Sequence, residues 1–123
     1  MRVFLLVPLV VAAVVGALVV SHRASRAPAA AASAAASAVG QAAATKARMD
    51  LLEAASAAAA FDADNGGYAG MTAERLRANY DASLPAEVVV ISATDQTYCI
   101  EATVQRETES LDGPGGTTRA GPC

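Results

Sequence analysis

Few side chains in this chain could do chemistry, and the first to consider are its two cysteines, Cys99 and Cys123. A metal site would need further ligands, and the only histidine, His22, lies far from both beside an apolar run. Two cysteines without such company read as a disulfide, and a disulfide implies an oxidising compartment. Closing a loop of about 25 residues contributes roughly 3.5 kcal/mol in the chain-entropy account. The pair is not in a Cys-X-X-Cys arrangement, and no basic neighbour would lower a thiol pKa, so a structural bond is favoured over a reactive one.

The acidic residues offer less. Asp62 and Asp64 alternate as the first ligands of a calcium loop do, but the twelfth position counted from Asp62 is Ala73, where a bidentate glutamate belongs. Asp62 with Asp64, or Glu107 with Glu109, would serve as an acid–base pair only if each were brought to a shared cleft, and a solvated acidic face is the expected role. A Ser-His-Asp arrangement would have to use His22, which reads as the flank of the apolar run. Gly66-Gly67 and Gly113-Pro114-Gly115-Gly116 lack the lysine and the strand-to-helix order of a phosphate loop and read as turns. No catalytic, cofactor-binding or metal residue is expected.

The elements that position these residues follow from composition. At 123 residues there is room for one domain. The 54% hydrophobic content is mostly alanine, and with aromatics at 4% and no tryptophan the large core side chains are scarce. The net charge of −3, with no basic stretch beyond Arg23 and Arg26, argues against a nucleic-acid partner.

Residues 3–20 are uninterruptedly apolar and bracketed by Arg2 and by His22, Arg23 and Arg26. Eighteen residues at about 1.5 Å reach roughly 27 Å, enough to span a bilayer's hydrocarbon layer. A secretory signal peptide, cleaved near Val19-Val20-Ser21, is the competing reading. The flanking arginines would place the following chain in the cytoplasm, whereas the cysteines place it outside; the cysteines carry more weight.

Residues 29–60 are alanine with scattered serine, the strongest helix-forming composition, although residues 24–38 could also be a flexible alanine-proline linker. Lys46 and Asp50 are spaced to meet on one face, and Met49, Leu52 and Phe61 are expected on the stripe that packs. Ala57 is expected on an exposed face. The run Asp62-Ala63-Asp64-Asn65-Gly66-Gly67 ends the helix. A short helix over 72–78 is capped by Thr72, with Leu76 and Tyr80 facing inward. Residues 87–93 carry the β-branched run Val88, Val89, Val90 and Ile91, and residues 98–104 alternate with period two. Together they predict a hairpin, with a weaker third strand within 105–111.

That order of elements, with FDADNGGYAG at residues 61–70, TYCIEATV at 97–104 and the closing Gly121-Pro122-Cys123, resembles the head domain of type IV pilins and type II secretion pseudopilins over residues 50–123. The resemblance implies that Asp64, Asn65, Gly66 and Tyr68 form the turn from helix to head and that Cys99 and Cys123 close the so-called D-region. The start of the chain departs from the family. A prepilin leader ends in glycine, followed by an aromatic residue and a glutamate at the fifth mature position. Here Val3 precedes Phe4, and Pro8 stands where the glutamate would be.

The expected molecule is α+β: a long N-terminal helix, its first part spanning the membrane, packed on a small antiparallel sheet. Residues 1–26 are anchor or signal, 27–61 the alanine-rich helix, and 62–123 the disulfide-closed head. Met49, Leu52 and Phe61 are expected to contact Leu76, Val88, Val90 and Ile100. The function implied is a non-enzymatic, single-pass subunit of a filament or secretion assembly. Residues 3–20 would lie in lipid, the head would be extracytoplasmic, and the partners would be copies of itself or other pilin-like subunits. The alternative is a monomeric anchored or secreted binding module with a head of the same type.

Overall fold

A computed structural model describes residues 28–123. The apolar run 3–20 and His22 lie outside the described residues; no helix among the described ones is long and apolar enough to cross a membrane. The chain divides into two units, Met1–Ser37 and Ala38–Cys123. In the first, residues 28–37 are helical, and 29–37 are exposed on every side.

The second unit is α+β. Helix α1 (Pro28–Asn65) continues into it and is followed by α2 (Ala73–Asn79) and the strands β1 (Val88–Ala93), β2 (Tyr98–Val104), β3 (Glu107–Gly113) and β4 (Thr118–Ala120). The four strands form one antiparallel sheet in the order β1-β2-β3-β4. The outer part of α1 packs on one face of it.

Alanine carries α1 through Asp62 and Asp64 to Asn65, where Gly66 takes the left-handed conformation (φ 71°) and its N–H returns to the Asp62 carbonyl at 2.7 Å. The face that α1 turns to the sheet is Ala43, Ala47, Asp50, Leu51, Ala54, Ala57, Ala58 and Phe61, all buried. The expected stripe of Met49, Leu52 and Phe61 is therefore corrected. Leu52 and Phe61 are nine residues apart, two and a half turns at about 3.6 residues per turn, and point in opposite directions. Leu52 is 60% and Met49 65% exposed, while Leu51 is fully buried. Ala57, expected outside, is buried for the same reason.

Phe61 and Leu51 meet Leu76, Val88 and Ile100 at the centre of the core, with Tyr68, Met71, Leu84, Tyr98 and Leu111 around them. Val90 is half-buried. The β1–β2 hairpin turns on Thr94, whose hydroxyl accepts the Gln96 and Thr97 N–H groups. Between Val90, opposite Ile100, and Ser92, opposite Cys99, Ile91 is an extra residue, a bulge that leaves it half exposed. Strand β3 runs two residues past the expected 105–111 to Gly113. That glycine lies across from Tyr98, whose ring occupies the space of a side chain: a Cβ there would fall 1.9 Å from Tyr98 Cζ. Strand β4 was not expected. Its three residues follow a glycine-rich turn and show no alternation of their own.

Candidate functional site

Three parts of the head bring together the residues singled out in the sequence. The first is the end of the chain. Cys99 and Cys123 are disulfide-bonded with their Cα atoms 6.2 Å apart. Cys99 and Glu101 lie on the sheet face opposite α1, and β4 delivers the tail from the far edge. After Ala120 pairs with Glu109, the Gly121 N–H donates to the Thr108 carbonyl at 2.8 Å. The Cys123 N–H then reaches the Glu101 carboxylate at 2.6 Å. The tail thus crosses β3 to reach β2 and leaves Ser110 fully buried.

The second part is the turn from helix to head. Asn65 donates from its side chain to the Phe61 carbonyl at 2.8 Å and to the Tyr80 hydroxyl at 3.1 Å, tying the last turn of α1 to the end of α2. Gly67 lies so close to Asp95 that a Cβ would stand 2.8 Å from its carbonyl oxygen. This approach lets the Tyr68 N–H donate to that oxygen at 3.3 Å. The Tyr68 and Tyr98 rings meet edge to face at 4.7 Å. Burial raises both phenol pKa values, with Asp62 adding to the effect on Tyr68 and Tyr68 to that on Tyr98. Asn65, Gly66 and Tyr68 therefore shape this turn. Asp64 is exposed, and its side chain makes no hydrogen bond or ion pair with the described residues.

Asp62 and Asp64 both lie within α1, about 200° apart around its axis, and do not converge. No group of three or more His, Cys, Asp or Glu that could hold a metal ion occurs among the described residues. A serine hydroxyl does sit between two carboxylates: Ser83 Oγ is 2.5 Å from Asp81 and 2.8 Å from Glu53. The Ser83 hydrogen bonds hold the Asp81 carboxyl below its ordinary pKa. These bonds tie the Asp81 turn to α1.

The third part is the interface of α1 with the sheet, where sequence reasoning missed a contact. Glu109, expected on a solvated face beside Glu107, points towards α1, is 2% exposed and pairs with Arg48 at 3.0 Å. Its carboxylate raises the Arg48 pKa, chiefly through that hydrogen bond. Glu109 Oε2 and Ser110 Oγ are buried without hydrogen-bond partners. The partners are 61 residues apart in sequence, and the only available signal was the even spacing of Glu109 and Leu111 on one strand face. Arg77 acts over a shorter range: it gathers the carbonyls of Leu84, Pro85 and Val88, the last on the open edge of β1. Lys46 meets Asp50 as its spacing predicts, at 2.6 Å, and the Asp50 hydrogen bond raises its pKa.

On the far side of α1 nothing in the head covers Met49 or Leu52. Compared with protein-family models, curated proteins and solved structures, the chain matches none of them.

Proposed function

We propose that this chain is a non-enzymatic, membrane-anchored structural subunit of pilin type. Residues 3–20 would be its anchor, and the head would lie on the extracytoplasmic side. The observation that carries the reading is the division of labour on α1. One face holds a small disulfide-bonded sheet, and the opposite face, with Met49 and Leu52, stays bare. Met49 and Leu52 stand one turn apart on that face, where neighbouring apolar side chains offer a contact for another helix. The disulfide supports an oxidising compartment, and the run 3–20 is long enough to hold the chain in a bilayer. Copies of the chain, or other pilin-like subunits, are the partners.

The test is fractionation of cells expressing the full chain, with mass mapping of the product. The reading expects an intact N-terminus in the membrane fraction, a Cys99–Cys123 linked peptide, and high-molecular-weight material in a sheared surface fraction. Recovery only as a soluble monomer starting after Ser21 would contradict it and support the secreted binding module. Free thiols in envelope-derived protein would contradict the extracytoplasmic placement.

A further inference from the structure

The bare face of α1 has an order that composition hides. Within Ala38–Cys123, the residues Ala38, Ala42, Thr45, Met49, Leu52, Ser56, Ala59 and Ala63 follow one another at alternating spacings of four and three, and all are exposed. They form one continuous seam, with the large apolar residues Met49 and Leu52 at its centre and small residues on either side, and none of its positions is charged. The Thr45 hydroxyl is already satisfied by the Gln41 carbonyl at 2.9 Å, so burying it would strand no donor.

Arg48 flanks the seam on one side and Glu53 on the other, five positions later. Five positions is the offset at which flanking residues of two parallel, in-register helices meet across a seam. More than half of the Arg48 side chain is exposed, although one Nη holds Glu109.

We infer that α1 forms a parallel, in-register pair with α1 of a second copy, with Met49 and Leu52 at its centre and Arg48 of each copy against Glu53 of the other. The parallel direction rests on the anchor reading, since two copies held in one membrane by residues 3–20 run the same way. The small residues on either side of Met49 and Leu52 allow the helices to approach closely, and the opposed charges fix the register.

Ala59→Cys in the full chain, purified in detergent micelles and mildly oxidised, tests the pair. Position 59 lies on the seam, so parallel copies bring the two sulfurs together. An antiparallel pair centred between Met49 and Leu52 would hold them roughly 25 Å apart and would link Ala59→Cys to Ala42→Cys. Most of the Ala59→Cys protein is expected as a disulfide-linked dimer, mapped by mass to peptide 59 joined to itself. Leu52→Asp and Glu53→Lys should each lower the linked fraction about tenfold. Ser83→Ala, which removes the contact of Glu53 within its own chain together with that to Asp81 but touches no seam residue, should leave it unchanged.

Linkage no greater than that of Ala86→Cys on an exposed loop, linkage through the 59–42 combination, or indifference to Leu52→Asp would each overturn the pair. Thermal melting of Leu52→Asp checks that the head remains folded, as substitution of an exposed residue predicts. Surface assembly that persists in Leu52→Asp would refute the pair and leave the pilin reading standing. A soluble processed monomer would remove the pilin reading whatever the dimer assay shows.

Discussion

The two faces of α1 are built from nearly the same residues and meet opposite fates. Towards the sheet lie five alanines, Asp50, Leu51 and Phe61; away from it lie four alanines, Thr45, Ser56, Met49 and Leu52. Apolar content cannot tell these faces apart. What distinguishes them is shape: alanine brings the α1 backbone close to the strands, while Leu51 and Phe61 enter the space between α2, β1 and β2. In an alanine-rich helix a buried face is therefore chosen by its fit to a partner, and a second face of equal apolarity remains available.

The largest contrast expected is between neighbours. Leu51→Ala should destabilise the head by about 2–5 kcal/mol, and Leu52→Ala by less than about 0.5 kcal/mol, in urea melts of unassembled protein. Equal effects would mean that the faces are misassigned. The alanines give the converse. Ala47→Leu inserts a side chain where α1 meets the sheet and should cost about 1–3 kcal/mol, whereas Ala59→Leu should be close to neutral or strengthen self-association.

A smaller effect should separate the charged margin of the interface from its apolar centre. Arg48→Ala leaves the Glu109 carboxylate buried alone, so it should lower the urea midpoint more than the double change Arg48→Ala with Glu109→Leu, which removes both charges. If the double variant is the weaker one, the pair is a net source of stability.

The smallest effect is pH-dependent and lies where the Asp81 turn meets α1. A depressed folded pKa contributes stability above the ordinary carboxylate value of about 4, and that contribution disappears as pH falls through the folded value. The melting temperature of Ser83→Ala should therefore trail the wild type at pH 7 and converge on it as pH falls below the ordinary carboxylate range. A gap that stays constant with pH would mean that Ser83 acts by packing alone.

These contrasts also mark how far the sequence could be read. The α+β class was legible because a thirty-residue alanine run and a β-branched hairpin are strong local signals. The Thr72 cap and the Lys46–Asp50 pair were legible because they act over three or four residues. The buried face of α1 was not, since leucines at 51 and 52 leave the choice to tertiary fit. Burial of Glu109 was hidden because its partner lies on another element 61 residues away. Strand β4 and the crossing tail were hidden because three residues held by β3, a glycine turn and a disulfide carry no periodicity.

In the proposed assembly one face of α1 holds the head and the other holds a neighbouring copy. This assembly is tested most directly by the reactivity of Leu52→Cys towards a membrane-impermeant maleimide, on intact cells and again on dilute detergent-solubilised protein, with Ala86→Cys as the reference. Position 52 is expected to be protected on cells and reactive once the copies are dispersed, while position 86 reacts in both states. Equal reactivity of position 52 in the two states would contradict the assembly.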